Sequence, residues 1–327
     1  MDISLSGKNV LVTGGAGFIG SNLCEALIEL KCNVTCLDNF STGKRENVSS
    51  FLDKSNFKLI EGDIRRIDDC MKATEEMDFV LHQAALGSVP RSIKKPRVTN
   101  DVNASGFVNM MVASKENKVK RFVYATSSSV YGDSKVLPKK EDLIGRPMSP
   151  YAVTKHVNEL YASVFAHNYG IETIGLRYFN VFGKRQDPKG EYSAVIPKFI
   201  DKLLKGESPI IYGDGKTTRD FTYIDNVVYA NLLCITTSNK EAIDEVFNIA
   251  AGGRSTLLDL VEYLKEFLSE FNQNIKNIEI KHQEFRVGDI THSYADINKA
   301  KKILNYTPKY TFQEGLKKAI KWYKENS

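Results

Sequence analysis

The sequence lacks the features that mark secreted, membrane-spanning or nucleic-acid-binding chains. It holds five cysteines in 327 residues, Cys24, Cys32, Cys36, Cys70 and Cys234, with no CxxC pair among them. An odd, unpaired set argues against a disulfide framework and reads as buried thiols in a reducing compartment. No stretch approaches the roughly 18 consecutive apolar residues that a membrane-spanning helix needs. Residues 1–8 carry no apolar signal core, so no membrane association and a cytoplasmic location are expected. Charge of one sign is also missing. Forty-five basic residues stand against 40 acidic ones, a net +5, and the basic residues are scattered. That distribution argues against a nucleic-acid groove and suits, weakly, an anionic small ligand. No internal repeat, low-complexity segment or flexible linker stands out.

What is present is the material for a large core. The hydrophobic fraction of 42% at this length is enough for two domains, or for one domain with a large appendage. Residues 8–13, around Val10-Leu11-Val12, read as a strand running into a glycine turn. Residues 18–30 have helical spacing, and 33–37 form a second strand ending at Asp38. This is a βαβ unit. Further strands are expected at 57–60, 79–81 and 121–125, and helices at 67–73, 98–116 and 151–167. Such alternation predicts an α/β fold, a Rossmann-like doubly wound parallel sheet. After about Tyr178 the pattern loosens. Short strands at 210–211 and 246–249 mix with helices at 195–204, 225–236, 256–271 and 312–324. The expected division is a dinucleotide-binding domain at 1–180 and a smaller substrate-binding α/β domain at 181–327. A strand near 172–176 is assigned to the first sheet, and later segments are free to return to it.

Two motifs carry the chemistry. Gly14-Gly15-Ala16-Gly17-Phe18-Ile19-Gly20 follows a strand and opens a helix, the context in which such glycines cradle a pyrophosphate. Gly14 permits the tight turn, Gly17 lets backbone approach phosphate, and Gly20 lets helix and strand pack closely. Asp38, at the end of the second strand, is placed to accept both ribose hydroxyls and to repel a 2′-phosphate, which favours NAD over NADP. The neighbouring Lys44-Arg45 pulls the other way. Asp63 reads either as a contact to adenine or as a helix N-cap for residues 67 onward. The second motif is Tyr151-Ala152-Val153-Thr154-Lys155. Tyrosine and lysine four apart share a helix face. A phenol of pKa about 10 is a poor base at neutral pH, and a neighbouring cation brings it toward the working range. Ser127-Ser128-Ser129 follows the strand at 121–125, at the sheet edge where ligands bind. It is either a substrate hydrogen-bonding group or a polar strand cap.

Together these residues resemble the extended short-chain dehydrogenase/reductase family, over essentially the whole chain. The likeness rests on the glycine motif, His82-Gln83-Ala84-Ala85, Ser127-Ser128-Ser129-Val130-Tyr131-Gly132, Tyr151 with Lys155, Arg177-Tyr178-Phe179-Asn180-Val181-Phe182-Gly183 and Arg219-Asp220-Phe221-Thr222-Tyr223-Ile224-Asp225. Within the family the chain looks most like nucleotide-sugar 4-epimerases. Sugar-nucleotide dehydratases carry an Asp-Glu pair where this chain has Ser128 and Ser129, so oxidation and re-reduction at C4 is implied rather than elimination of water.

The resemblance implies NAD as cofactor, a UDP-sugar as substrate, no metal, and a homodimer formed through the helices at 98–116 and 151–167. Its implied catalytic residues are Ser127, Tyr151 and Lys155. For NAD it implies Gly14, Gly17, Phe18, Ile19 and Gly20, then Asp38, Asn39, Ser41, Gly43, Asp63 and Ile64. Gln83, Ala84, Ala85, Asn103, Thr126 and Tyr178 complete that set with Tyr151 and Lys155. For the sugar nucleotide it implies Gly87, Ser88, Ser127, Ser128, Ser129, Tyr151, Asn180 and Val195. Arg219 and Arg286 would clamp the diphosphate in bidentate fashion, with Asp289 beside the ribose. Tyr212 reads as a uracil platform or as an ordinary core tyrosine. Ser293 stands where glucose- and galactose-restricted epimerases look to carry a bulky tyrosine, so room for a C2 N-acetyl group is implied. The expected activity is interconversion of UDP-N-acetylglucosamine and UDP-N-acetylgalactosamine. A UDP-N-acetylglucosaminuronate, UDP-glucose or UDP-glucuronate epimerase is the nearest alternative, and a non-catalytic NAD-binding regulator a remote one.

Overall fold

The structure, a computed structural model, describes residues 5–189, 193–284 and 292–326. Its centre is a sheet of seven parallel strands in the order β3-β2-β1-β4-β5-β6-β11. These are β1 (Asn9–Thr13), β2 (Asn33–Asp38), β3 (Phe57–Glu61), β4 (Phe79–His82), β5 (Arg121–Ser127), β6 (Glu172–Tyr178) and β11 (Glu245–Ile249). The inner strands read as nearly unbroken apolar runs because both faces are covered. Successive side chains point to opposite faces. Val10 and Val12 share one core with Leu23 and Leu27 of α1 (Phe18–Glu29) and with α8 (Ile224–Thr236). Leu11 joins Val80, Phe122 and Met110 in the other, under α2 (Ile67–Thr74), α5 (Gly106–Glu116) and α6 (Pro150–Tyr169). Strand order reverses between β1 and β4, so their carboxyl ends open the crevice where this architecture binds ligands.

Helix α6 is defined at both ends by its sequence. The Ser149 hydroxyl accepts the Ala152 N–H at 3.1 Å, Pro150 fills the first turn, and Gly170 stops the helix at φ +71°. The single helix expected over 98–116 is instead three pieces. After the short α3 (Val89–Lys94) come α4 (Pro96–Asn100), a wider five-residue π turn at Asp101–Ser105, and α5. Asn103, in the wide turn, bonds the Leu86 backbone twice (2.8 and 3.3 Å) and the Thr154 hydroxyl (3.2 Å). The local widening thus accompanies a tie between α6 and the loop after β4.

Beyond residue 180 the strands are short. β7 (Val181–Phe182) pairs with β10 (Thr222–Tyr223), and β8 (Ile210–Tyr212) with β13 (Lys281–Gln283). β9 (Thr218–Arg219) lies between β12 (Ser255–Thr256) and β14 (His292–Ser293). Helices α7 (Val195–Leu204), α9 (Leu257–Ser269) and α11 (Phe312–Glu325) pack together, while α10 (Asn298–Leu304) lies against β11. Strand β11 returns to the main sheet beside β6, so residues 246–249 do not belong with the short strands around them.

Candidate active site

A cleft of about 570 Å³ follows the carboxyl ends of β1, β2, β4 and β5. Its floor is the glycine turn. Gly14 has φ +67°, and a Cβ there would sit 2.8 Å from the Ala84 backbone. A Cβ on Gly20 would run into the Gly14 carbonyl. Gly17 caps α1 with no side-chain partner, so the first N–H groups of the helix lie at the cleft. Asp38 is buried at the end of β2, where its carboxylate accepts the Ala16 N–H at 2.9 Å and the Phe40 N–H at 2.8 Å. Burial raises its pKa and those two bonds lower it. A carboxylate has lone pairs to spare for a ribose diol. Of the basic neighbours, Lys44 pairs with Asp187 at 3.0 Å and Arg45 with Glu61 at 2.7 Å. Neither is left as a dedicated partner for a 2′-phosphate. A cradle that a Cβ would fill and a buried acceptor at the strand end together fit a dinucleotide.

Asp63 also borders the cleft and is not a helix cap; α2 is capped at Arg66. Its carboxylate is gripped by Arg65 (2.6 Å) and accepts from Asn39 (2.8 Å), which holds it down at about 2. Phe18, Ile19, Ser41, Gly43, Ile64, Gln83, Ala84, Ala85, Thr126 and Tyr178 line the same cleft. Tyr178 donates to Gln83 (3.3 Å) and accepts from Asn231 (2.9 Å). Asn103 does not line it. That residue lies beneath, occupied by the Leu86 backbone and Thr154.

At the inner end stand Ser127, Ser128, Tyr151, Lys155, Gly87 and Asn180. The Ser127 hydroxyl lies near enough to the Tyr151 phenol to act on its proton affinity, and it accepts the Ser129 N–H at 3.1 Å. Burial raises the Tyr151 phenol, and Ser127 opposes that rise. Lys155 is buried, donates to the Ala125 carbonyl at 2.7 Å, and is lowered to about 8 by burial, against the pull of Glu159. Among the protein's own groups burial is the largest influence on both residues. Asn180 reaches φ +38° and donates to the Asp220 carbonyl at 3.1 Å.

The remaining expected sugar-nucleotide residues stand apart from this cleft. Ser88 caps α3 and Ser129 lies in the turn after β5 with its hydroxyl buried. Val195 opens α7 and Tyr212 ends β8. Arg219 and Ser293 are cross-strand partners on β9 and β14, side by side. Arg286 and Asp289 lie outside the described residues. Further groups belong to the site, some of them already quoted as motif residues. Gln186 and Thr42 line it; Thr13 and His82 bond at 2.9 Å beneath it, with His82 pushed down to about 3 by burial and by the Lys155 charge. Gln186 sits in a loop with no periodic signal. Thr42 stands between two residues already assigned to the cofactor, and that adjacency was the available clue.

A nucleotide crevice with a serine, tyrosine and lysine at its inner end defines a class, and sequence comparison gives the same class. Residues 10–250 match the model of the NAD dependent epimerase/dehydratase family. The chain belongs to that family, and NAD is its cofactor. It is similar along its whole length to nucleotide-sugar 4-epimerases. The UDP-N-acetylglucosamine 4-epimerase of Methanobrevibacter ruminantium, solved with UDP-N-acetylmuramic acid, is 39% identical, with a TM-score of 0.91 over 98% of this chain and 100% of that one. The UDP-glucose 4-epimerase of Thermotoga maritima, solved with UDP-glucose, is 36% identical, with a TM-score of 0.89 over 97% and 99%. The UDP-glucuronic acid 4-epimerase of Bacillus cereus, solved with UDP-glucuronic acid and NAD, is 32% identical, with a TM-score of 0.87 over 98% and 100%. No helix among the described residues is long and apolar enough to cross a membrane.

Proposed function

We propose that this chain is a UDP-sugar 4-epimerase that interconverts UDP-N-acetylglucosamine and UDP-N-acetylgalactosamine. The observation that carries the chemistry is the cluster of Ser127, Tyr151 and Lys155 at the inner end of a cleft whose outer end carries Asp38 and the glycine turn. The glycine turn and Asp38 would hold NAD, which would supply a hydride acceptor and donor for C4 of the sugar. Every other step falls to side chains. Tyr151, through its phenolate, takes the C4 hydroxyl proton and later gives it back. Ser127, beside that phenol, aligns it. Lys155 favours the phenolate when charged and anchors the nicotinamide ribose. Asp38 accepts the adenosine ribose hydroxyls. Release of the 4-keto sugar is prevented by holding its diphosphate, for which Arg219 and Arg286 are the proposed clamp, with Asn180, Tyr212 and Asp289 on the remaining nucleotide and sugar groups.

The N-acetylated substrate is favoured by Ser293. It stands beside Arg219 in the β9–β14 pair, and a serine there is smaller than the tyrosine that glucose- and galactose-restricted epimerases look to carry. The Methanobrevibacter relative, whose solved complex holds another N-acetylated UDP-sugar, supports the same choice. A uronate substrate is the second reading, supported by the Bacillus relative at similar identity. The test offers UDP-GlcNAc, UDP-glucose, UDP-GlcNAc-uronate and UDP-glucuronate separately, without added NAD, and resolves products by NMR. Strong conversion of UDP-GlcNAc with little of UDP-glucose is expected. Preference for a uronate would move the substrate, and no epimer from any would remove the activity.

Two domains, divided near residue 180, and a dimer are part of the same proposal. On α6 the side chains of Val153, Leu160 and Val164 are 46, 55 and 51% exposed, on the face turned away from the sheet. A second copy meeting this stripe would bury it, which light scattering of the purified protein would read as twice the chain mass.

A further inference from the structure

Helix α6 carries one carboxylate, which the proton-transfer scheme does not use. Glu159 follows Lys155 by four residues, so both project from one face of the helix. Its carboxylate is buried and accepts three hydrogen bonds from two strands. From β5 the Thr126 hydroxyl donates at 2.6 Å. From β6 the Arg177 guanidinium donates in bidentate fashion, Nε at 2.9 Å and Nη2 at 2.8 Å. His156 stands 3.6 Å away on the same helix. Arg177 uses its remaining nitrogen on the Glu141 carbonyl at 2.7 Å.

These contacts converge on three consecutive residues of β5. Lys155 holds the Ala125 carbonyl, Glu159 holds the Thr126 hydroxyl, and Ser127, the next residue, meets Tyr151. The strand end that presents Ser127 is therefore fixed from below by two charged groups of the helix that presents Tyr151. We propose that Glu159, clamped by Arg177, is a positioning residue for the Tyr151–Ser127–Lys155 cluster: it sets the register of Thr126 and supplies the negative charge that keeps Lys155 protonated. This rests on the roles proposed above for Tyr151 and Lys155.

The charges around it make the sign definite. Lys155 is faced by His82 from β4, and Glu159 by Tyr124 from β5, by Arg177 from β6 and by His156 from α6 itself. Of these, Glu159 is the group that raises Lys155 against its burial. Glu159 is itself held low, at about 2, chiefly by Arg177 working against burial, so it is ionised throughout the working range. Removing its charge lets Lys155 lose its proton at lower pH.

The test is the alkaline limb of the pH profile of kcat in NAD-bearing protein, together with the Lys155 amine read directly by ¹⁵N NMR and assigned with a Lys155→Met control. Glu159→Gln, which keeps shape and loses charge, should move both readouts acidward by about one pH unit. Arg177→Gln, which frees the Glu159 carboxylate, should lower kcat. Thr126→Val should lower kcat with the limb in place. Should a single variant fail to fold, the Glu159→Gln/Arg177→Gln pair leaves no lone buried charge and should still show an acidward displacement. Folded variants that lose turnover alike with neither readout displaced would overturn the proposal. An NMR displacement in protein that epimerises none of the sugars would sustain it and remove the epimerase reading instead.

Discussion

On the proposed division, the two halves of this molecule hold their ligands by different means. The cofactor half uses rigid, buried elements: the glycine turn, the ends of four parallel strands and the body of α6. Its contacts are set by backbone, with Gly14 against Ala84 and Asp38 against the N–H groups of Ala16 and Phe40. The sugar half uses strands of two or three residues and the loops between them. Arg219 and Ser293 are brought together by a short strand pair, next to Thr218 and His292, which bond at 2.9 Å across 74 residues of sequence. A site that must hold one unchanging dinucleotide can be built into the sheet. A site that must let a sugar turn over within a grip on its diphosphate needs its walls on short, separable pieces. Substitutions in the first half should therefore abolish chemistry or folding, and those in the second should change which sugar is accepted.

The largest expected effect is in the cofactor half. Tyr151→Phe removes the proposed base and should lower kcat by about 10²–10⁴-fold with NAD still bound. Steady-state rates alongside the NAD content of the purified variant would check it, and near-normal turnover would refute the assignment. Next comes Gly14→Ala. The backbone there is at φ +67° and the new Cβ meets the Ala84 backbone at 2.8 Å, so a cost of about 1–3 kcal/mol is expected. Thermal denaturation should show the loss, and NAD retention should fall with it.

In the sugar half, Ser293→Tyr should leave UDP-glucose turnover largely intact. Its ratio of kcat/KM for UDP-GlcNAc over UDP-glucose should drop by about 10- to 200-fold, the range available to a steric wall. Equal losses on both sugars would mean that Ser293 does not border the C2 position, and the contrast between the halves would blur.

The smallest effect concerns acid stability. His82 is held at about 3 against an ordinary 6.5, so between these values the unfolded chain binds the extra proton. Glu159 is held at about 2 against 4.5, which acts in the same direction further down. Both contributions are complete above the unfolded values and are lost as pH falls, through 6.5 toward 3 and through 4.5 toward 2. Melting temperature should decline from pH 7 to pH 4, and more gently in His82→Asn, which carries no titrating ring.

The same contrast governs what could be read without a structure. The glycine turn, Asp38 at a strand end and the Tyr151–Lys155 spacing are local patterns, each demanded by one stretch of backbone, and a sequence displays them directly. Pairs formed across the fold leave no such trace. Thr13 with His82, and Glu159 with Arg177, are joined only when parallel strands and their helices assemble. Asn103 sits in a helical pattern that shows no sign of the wide turn where it ties down Leu86. Residues 246–249 look like another short strand of the sugar half, yet their partner is β6. In the sugar half two-residue strands are too short for any period to register, so there the family resemblance supplied the residues, and the residues 285–291 that carry Arg286 and Asp289 stand outside the described structure.

The central claim is that C4 is oxidised and re-reduced within one site, by a cofactor that never leaves. It is tested most directly with UDP-GlcNAc deuterated at C4, given to the purified protein in ordinary water with no NAD added. Formation of UDP-GalNAc with the deuterium still on C4 is the predicted result. Epimer that has exchanged its C4 label with solvent, or no epimer at all, would contradict it.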